Sequence, residues 1–506
     1  FFIVVIIGVV IGLTASGDSD TAPMVIMEDG GTSDLNDDDD QQAAEIPNDD
    51  DASDVATTFT VPTQVPTTSA SPSTSMHPSE SPTARSDRII EILRPHVDIN
   101  VVRISDPTSP RFQAYEWLSG VGLESYSLDR TPVDVVLERY AWAVFYYSTL
   151  LSADGWWSDF EWLSSSSVCN WHGATCDEDA EDGSIDYNPD ALRALELEEN
   201  NLRGTLPIEI ILFAKQLTHL NLRYNSLSGS IPTEIGLWTS LERLLLTTND
   251  IQGSIPSQFG ALPVLQQVHL VQNRLSGTIP TELGDLSNTL EVLYLESNSR
   301  MRGTIPTELA HLTKLQGLAI SWTELEGSVP TEFGLLTNLI MFEIRGNSRL
   351  AGSSLPTELG MLLNLTYCNL SLNDITGNIP SEFGRLTNLQ RVDLNDNAFT
   401  GTLPTEMGDL VQLTNLRVYQ NFLSGPLPSE LGRLTLLEQL YVDSNRFSGV
   451  VPSQLDNLSP IVQWVRLEDN NFTGGLETLF CTNPPDETFV ADCLEELECG
   501  CCTRCE

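Results

Sequence analysis

The fold is decided by a phrase that reads LTHLNLRYNSLSGSIP at residues 217–232. Leucines alternate with other residues, an asparagine follows, and the phrase closes on glycine, serine, isoleucine and proline. From Leu192 onward it recurs roughly every 24 residues as Leu-x-x-Leu-x-Leu-x-x-Asn-x-Leu-x-Gly-x-[Ile/Leu]-Pro. A fixed period of this length predicts a stack of structural repeats, each contacting only its neighbours.

Asparagine ends the strand phrase in eleven of twelve copies, and threonine replaces it in the sixth. We number the repeats as coils 1 to 12 in the order Asn200, Asn225, Asn249, Asn273, Asn298, Thr323, Asn347, Asn373, Asn397, Asn421, Asn445 and Asn470. Alternating leucines predict a short strand with the leucines facing inward. Because one coil cannot bury its own apolar face, successive strands must pair in parallel. We expect the asparagines to form an internal ladder that satisfies backbone groups at the strand ends.

These patterns predict an α/β solenoid, a right-handed curved superhelix whose parallel β-sheet lines the concave face. The predicted organisation is a truncated hydrophobic anchor or signal, a disordered acidic and Ser/Thr/Pro-rich stalk, a helical N-terminal capping domain, about twelve repeats, and a Cys-rich C-terminal cap. The corresponding ranges are 1–17, 18–85, 86–191, 192–476 and 477–506.

The repeat phrase, together with Cys169-x-Trp171-x-Gly173-x-x-Cys176, resembles the plant-type leucine-rich repeat receptor family over roughly Cys169 to Leu476. The resemblance implies an extracellular curved solenoid that binds peptides, small signalling molecules or other proteins. The N-terminal segment and the cysteine-rich tail are similar instead to receptor-like repeat proteins of diatoms. Kinase signatures such as His-Arg-Asp and Asp-Phe-Gly do not occur, so signalling by an attached kinase is not implied.

The first thirteen residues, FFIVVIIGVVIGL, have no polar side chain and do not begin with Met. About 20 apolar residues are needed to span a bilayer, so we expect this run to be the remainder of a longer segment. A signal anchor is favoured, and the alternative is a secretion signal cleaved around residues 14–16. Residues 18–84 contain no Lys or Arg and are acidic, then Ser/Thr/Pro-rich, which predicts an extended stalk.

Ordered structure is expected from near Ser86. Thr131 and Pro132 predict the start of a helix with one apolar face, packed against the aromatic-rich stretch 112–118. Cys169 and Cys176 enclose a short loop that a disulfide can close. Disulfides are also expected in the tail, where fifteen pairings remain open among Cys481, Cys493, Cys499, Cys501, Cys502 and Cys505. Cys368 takes a leucine position and is interpreted as a buried apolar side chain.

Four Asn-x-Ser/Thr sequons are candidate glycosylation sites, at Asn364, Asn369, Asn457 and Asn471. Asn369 lies between two inward residues of a concave strand. A glycan there would block the middle of that face and displace a ligand toward one end.

Two groups of residues on the concave face are candidate ligand contacts, because aromatic and arginine side chains dominate binding hot spots. The first comprises Arg417, Tyr419, Tyr441, Trp464 and Arg466 on three adjacent strands. The second comprises Tyr224, His269, Tyr294 and Trp322. The alternative is that Tyr and Trp occur there because they suit strands.

The chain of 506 residues carries 25 basic and 71 acidic side chains, a net charge of −46. This charge argues against nucleic-acid partners, and a hydrophobic fraction of 41% argues against a multi-pass membrane protein. No catalytic set, metal site or cofactor motif emerges, so a non-enzymatic function is expected. We interpret the chain as a membrane-tethered, receptor-like module at the plasma membrane, with extracellular repeats that bind a protein, peptide or glycan. A co-receptor is an additional candidate partner, and the alternatives are an adhesive surface or wall protein and a secreted enzyme inhibitor.

Overall fold

The computed structural model describes residues 82–97, 106–120, 131–150, 155–176, 191–352, 354–458, 460–474, 488–491 and 504–505. The predicted anchor or signal lies outside these residues, as do almost all of the stalk and the tail cysteines other than Cys505. Among the helices that the structure describes, none is both long enough and apolar enough to span a bilayer.

Within the described residues, three α-helices precede the repeats: α1 (Pro82–Leu93), α2 (Pro110–Ser119) and α3 (Val133–Thr149). They bury a shared apolar cluster of isoleucine, leucine, valine and tyrosine side chains. Helix α1 begins at Pro82, four residues before the expected start of order, because proline suits the first turn of a helix. Helix α3 begins one residue later than predicted, with Pro132 rather than Thr131 at the cap.

Two buried charged residues of helix α3 hold it in place, one against the first repeat and the other within the cap. Glu138 Oε1 accepts a hydrogen bond from the backbone N–H of Leu192 at 3.0 Å, at the start of the first repeat strand. Arg139 donates to the carbonyls of Ser164 and Ser166 at 3.0 and 2.8 Å. These bonds satisfy charges that would otherwise be costly to bury, and the Glu138 bond fixes the cap against coil 1.

One sheet runs through the described repeats, with a strand from each coil in parallel register with the next. An antiparallel strand from the cap opens it and two short strands close it. In chain order the strands are β1 (Ala174–Cys176), β2 (Leu192–Glu196), β3 (His219–Asn221), β4 (Arg243–Leu245), β5 (Gln267–His269), β6 (Val292–Tyr294), β7 (Gly317–Ala319), β8 (Met341–Glu343), β9 (Tyr367–Asn369), β10 (Arg391–Asp393), β11 (Asn415–Arg417), β12 (Gln439–Tyr441), β13 (Trp464–Arg466), β14 (Thr488–Ala491) and β15 (Arg504–Cys505). The predicted leucine-rich solenoid with a parallel sheet on its inner face is confirmed.

In most coils the chain forms a short outer strand after the inner one and then a short helical turn, whereas coil 7 has only an isolated bridge at Arg349 in place of the outer strand. The outer strands pair in three groups: Arg203–Thr205 with Ser226–Ser228; Gln252–Gly253, Arg274–Gly277, Arg300–Thr304 and Glu324–Glu326; and Thr376–Gly377, Ala398–Gly401, Phe422–Gly425, Arg446–Val450 and Asn471–Gly474. The turn of coil 1 is helix α4 (Ile208–Phe213). The other turns are 3₁₀ helices at Thr233–Leu237, Ser257–Ala261, Thr281–Leu286, Thr307–His311, Thr331–Leu335, Thr357–Met361, Ser381–Arg385, Thr405–Asp409, Ser429–Arg433 and Ser453–Leu458, and one more lies in the cap at Val168–Asn170.

The spacing between turns depends on a glycine in the turn. A Cβ on Gly384 would lie 2.5 Å from both the carbonyl oxygen and the Cβ of Glu406 in the next coil. Real Cβ atoms do not approach other atoms so closely, so glycine lets adjacent turns touch through their backbones. Ala310 takes the equivalent position in coil 5.

The asparagines form the predicted ladder. Asn397 is typical: its Oδ1 accepts from the N–H of Ile375 in the preceding coil, and its Nδ2 donates back to the carbonyl of Leu370. The ladder changes at coil 6, where Thr323 replaces asparagine. Because of the inserted residues before Met301, its N–H donates to the carbonyl of Asn298 in its own coil. It therefore does not need the side-chain acceptor that an asparagine in coil 6 would supply.

Candidate ligand-binding surface

The concave face presents two outward side chains per strand and a third group of side chains along one edge. The edge residue is the one before the coil asparagine, or before Thr323 in coil 6, and its φ is positive in all twelve coils; in coil 7 it is Gly346. Left-handed backbone costs about 1–2 kcal/mol for a residue other than glycine. The edge side chains therefore leave the sheet in a direction that strand alternation does not predict. Tyr224 and Trp322 are both edge residues, with φ near 55°.

The first candidate group is centred on Tyr441 in β12. Strand register places Arg417 of β11 and Arg466 of β13 opposite it, one on each side. Their guanidinium carbons lie 5.6 and 5.7 Å from the centre of the Tyr441 ring. Tyr419 adds a second ring with its centre 6.3 Å away. The structure thus brings four of the five predicted residues together, and we call Arg417, Tyr419, Tyr441 and Arg466 the tyrosine patch.

Buried carboxylates hold the arginines of this region in place. Asp393 Oδ2 pairs with Arg391 Nε at 2.7 Å, and its other oxygen lies 3.7 Å from Arg417. Arg466 Nη2 lies 3.2 Å from Asp443 and 2.7 Å from Glu468. All three carboxylates are only 2% exposed. Sequence reasoning counted these acids in the net charge but did not place them, because their burial depends on how the arginines fold over them.

The same pairing changes the ionisation of the patch. Burial raises the pKa of Asp443 to about 7, with a further increase from Glu468, while Arg466 opposes the shift. For Arg466, Asp443 and Glu468 together outweigh burial and raise the pKa. Burial also raises the pKa of both Tyr419 and Tyr441. The tyrosines are therefore neutral hydrogen-bonding groups at physiological pH.

Trp464 lies beside the patch rather than in it. Its partner across the β12 and β13 register is Gln439, not Tyr441. The Oε1 of Gln439 accepts two hydrogen bonds from Arg417, at 2.6 and 3.2 Å. Gln439, which sequence reasoning did not single out, lies on the strand between them. Its side chain bonds to Arg417, and its backbone is in register with Trp464.

The second candidate group does not form one surface. His269 and Tyr294 contact each other with ring centres 4.8 Å apart, and the Tyr294 hydroxyl reaches Met341 Sδ at 3.5 Å. The Tyr294 side chain in coil 5 thus extends across coil 6 to Met341 in coil 7. It can do so because the concave residues of coil 6 are the small Gly317 and Ala319. Burial lowers the pKa of His269 to about 4, so its ring is neutral at physiological pH.

The two edge aromatics are separated from that pair and from each other. Tyr224 and Trp322 are 41% and 46% exposed, and they lie four coils apart, or ~19 Å at the usual strand spacing. Trp322 rests on Gly346, where a Cβ would come within 2.6 Å of the indole. Arg345 stacks on the same ring at 5.2 Å.

The remaining predicted site residues differ in accessibility. Cys169 and Cys176 are joined by a disulfide with Cα atoms 5.5 Å apart. Asn364, Asn457 and Asn471 are exposed, whereas Asn369 is 3% exposed and donates from Nδ2 to the Tyr367 hydroxyl. Asn369 is therefore less accessible to a glycan than the other three asparagines in the folded chain, and glycosylation at the four sequons stays a prediction. Cys368 is buried with a free thiol whose pKa burial raises.

Comparison with known proteins agrees with this architecture. A sequence profile described as Leucine Rich Repeat matches residues 216–238, 364–386 and 388–410. No curated protein matches the sequence. The chain is built from leucine-rich repeats on the evidence of both the profile and the fold.

Solved structures with the same fold include plant receptors. The plant peptide hormone receptor RGFR1 in complex with RGF2 is 31% identical over 64% of this chain and 52% of the receptor, with a TM-score of 0.57. A TDR receptor is 32% identical over 60% of this chain and 53% of its own, with a TM-score of 0.54. The Arabidopsis receptor kinase HAESA, in complex with the peptide hormone IDA and the co-receptor SERK1, is 28% identical over 66% and 60%, with a TM-score of 0.53. This chain thus spans between 52% and 60% of the length of these three proteins.

Proposed function

We propose that this chain is a non-enzymatic, extracellular recognition module that binds an extended peptide on its concave face, across coils 10 to 12. The observation that carries the proposal is Tyr441, flanked on both neighbouring strands by arginines that buried carboxylates hold in position. A co-receptor is a further proposed partner. We also propose that residues 1–17 tether the module to the plasma membrane.

The tyrosine patch has the properties of a binding hot spot. Tyrosine and arginine give large contact areas and several hydrogen-bond donors, and they are enriched among residues that dominate affinity. Here their rotamers are already restricted by ion pairs and ring contacts before a ligand arrives. Less conformational entropy is then lost on binding, which favours affinity.

A peptide suits this surface better than a compact small molecule. The patch is open and spread over three strands, or ~10 Å at the usual strand spacing, rather than enclosed in a cavity. Its half-buried phenol rings and guanidinium groups offer apolar faces and hydrogen-bond donors side by side, which suit the side chains and carbonyls of an extended peptide. The solved complexes of RGFR1 and HAESA, whose ligands are RGF2 and the peptide hormone IDA, support this choice of ligand class.

The proposal can be tested with the secreted chain and a displayed library of random peptides of about ten residues, which would extend ~33 Å. We expect the chain to enrich a consensus peptide, and Tyr441→Ala to weaken its binding by at least about 30-fold, the loss of a hot spot. Tyr441→Phe should lose much less, because it keeps the ring between the two arginines.

The matched control is Phe422→Ala. Phe422 is exposed and also stacks with an arginine, Arg446 at 4.7 Å, but it lies on an outer strand rather than on the concave sheet. This variant should bind as the unmodified chain does. Failure to enrich any peptide, or equal losses from the Tyr441 and Phe422 variants, would reject the proposed peptide site.

A further inference from the structure

The outer side of coils 8 to 11 carries a groove where the outer strands lead into the helical turns. Two cavities of about 660 and 440 Å³ lie side by side there, and both are lined by Thr405, Pro426 and Pro428. We call this surface the proline groove, because its lining includes four prolines: Pro404, Pro426, Pro428 and Pro452. It belongs to the outer strands and turns, whereas the tyrosine patch belongs to the inner sheet.

Coils 10 and 11 differ from the preceding coils at one position of the repeat phrase. The residue before the Ile-Pro, Leu-Pro or Val-Pro pair is threonine, serine or asparagine in coils 1 to 9. It is Pro426 in coil 10 and Val450 in coil 11. Both side chains are exposed, Val450 by 62%. Exposed apolar side chains do not stabilise the core, and two of them together on a groove mark a surface suited to a partner.

The proline also leaves the floor of the groove open. In coil 10, a Cβ on Gly425 would lie 2.9 Å from Cγ2 of Thr402, the corresponding residue of the coil before. A Cβ on Gly449, one coil later, would meet none of its non-neighbouring residues within 4 Å. The side chain of Pro426 closes onto its own backbone nitrogen, so it does not cover Gly449 as Thr402 covers Gly425.

The rim of the groove is acidic. Among the described residues that line the two cavities there is no Lys or Arg. Glu406 and Glu430 lie in the turns of coils 9 and 10, and each accepts a hydrogen bond from the hydroxyl just before it, Thr405 and Ser429, at 3.2 Å. These hydroxyls are neutral, so the two carboxylates keep their charge available to a cation.

The arginines of the adjoining turn and outer strand have other partners. Arg433 pairs with Asp409 at 3.2 Å, and Arg446 stacks on Phe422 at 4.7 Å. The groove therefore combines an apolar floor with negative charge at its rim.

We propose that the proline groove binds a basic segment of a partner protein, with an apolar side chain of that segment between Pro426 and Val450 and a lysine or arginine beside Glu430. The groove and the tyrosine patch are different surfaces, so this inference does not depend on the proposed peptide site.

Charge favours a separate, basic protein over the other possible occupants. Residues 18–84 of this chain contain no Lys or Arg, and residues 475–506 contain only Arg504. A second copy of the chain would bring a net charge of −46. Each of these would place like charge against the acidic rim, whereas a basic segment would be attracted to it.

The probe is an array of synthetic peptides of about seven residues, ~23 Å long when extended. Two lysines and two leucines occupy every arrangement of positions among glycines, and a second array has glutamate in place of lysine. We expect the secreted chain to bind a subset of the lysine peptides and none of the glutamate peptides. Added salt should weaken the binding, because the rim carboxylates are exposed to solvent.

The variants are compared by calorimetric titration with the tightest lysine peptide. Pro426→Thr gives coil 10 the residue that coil 9 carries, which covers Gly449 and removes one apolar wall. It should weaken binding by about tenfold, the factor for roughly 50 Å² of lost apolar contact. Glu430→Gln should weaken binding by about threefold, as expected for one exposed ion pair.

The matched control is Glu332→Gln. Glu332 occupies the same position in the turn of coil 6 and accepts a hydrogen bond from Thr331 at 3.1 Å, but it lines neither cavity. This variant should bind the peptide as the unmodified chain does. Thermal unfolding followed by circular dichroism checks that Pro426→Thr is folded, and Val450→Thr supplies a second change at the rim, with an expected loss of about fivefold.

Several results would overturn the proposal. One is that no lysine peptide binds, as would happen if the chain itself covers the groove. Another is that the glutamate peptides bind equally well, or that Pro426→Thr and Val450→Thr, both folded, bind as the unmodified chain does. A dimer in sedimentation experiments that Pro426→Thr dissociates would show that the occupant is a second copy, and would also reject the basic partner.

Discussion

Replacing Asn397 with threonine tests the asparagine ladder with a residue that the chain itself uses in coil 6. Asn397 is 7% exposed and makes four hydrogen bonds, one as acceptor and three as donor. The three carbonyls that receive its Nδ2 all keep other partners, since Leu370 and Leu394 also accept from Asn373 and Asn421, and Asn395 accepts from a backbone N–H. Only the N–H of Ile375 loses its sole acceptor.

The magnitude follows from this inventory. Threonine is one atom shorter than asparagine and cannot reach back to the preceding coil, so a buried amide N–H is left unpaired. That costs about 1–3 kcal/mol, and the weakened bonds to the three carbonyls add about 1 kcal/mol, for a total of about 2–4 kcal/mol. The inverse change, Thr323→Asn, leaves the N–H of Met301 satisfied by Asn298 but removes Thr323 Oγ1 as acceptor of the Leu325 N–H at 3.3 Å. It should therefore cost less than Asn397→Thr, about 1 kcal/mol.

The assay is equilibrium unfolding in urea followed by circular dichroism, with the slope compared between variants to verify that the same surface unfolds. The asymmetry between the two substitutions is the diagnostic result. Equal effects of Asn397→Thr and Thr323→Asn would show that the identity of the side chain determines stability, and not the hydrogen-bond pattern around each position. A loss below about 0.5 kcal/mol for Asn397→Thr would contradict the assignment of the Ile375 N–H.

Three further changes test other parts of the structure. Gly384→Ala forces two adjacent turns apart and should lower the free energy of unfolding in urea by about 1–3 kcal/mol. Gly352→Ala is the control and should lower it less, because its Cβ would meet nothing within 4 Å and only the positive φ is unfavourable. Cys176→Ser opens the cap disulfide and should cost about 2.5 kcal/mol by the loop-entropy relation, and an unchanged melting temperature would argue against a disulfide there. After secretion from eukaryotic cells, Asn364→Gln should remove one glycan from the mass spectrum, whereas Asn369→Gln should leave the mass of attached glycan unchanged.

The repeat fold was predictable because each coil restates the same constraints. Leucine alternation, the asparagine and the Gly-x-Ile-Pro turn indicate the same structure in almost every copy. An irregular copy therefore does not change the predicted fold. The cap offered only one copy of each pattern. There the sequence placed the start of α3 one residue early and the start of order four residues late.

The binding surface was less predictable because it depends on features that do not repeat. Strand alternation places Tyr441 between Arg417 and Arg466, which explains why that group was found. It does not reveal that Trp322 leaves the sheet from a left-handed residue and rests on Gly346. Nor does it show that Asp443 lies buried beneath an arginine, since burial of a charge depends on its partner in three dimensions.

The pairing of arginines with carboxylates also has a consequence for the speed of ligand capture. Each ion pair cancels its own field within a few ångströms, whereas the net charge of −46 acts at long range. At physiological salt this longer field decays over about 8 Å, so ionic strength controls how much of it an approaching molecule experiences. An acidic peptide should therefore associate faster as salt is added, and a basic one slower, while the dissociation rates, set by the short contacts around Tyr441, should change little.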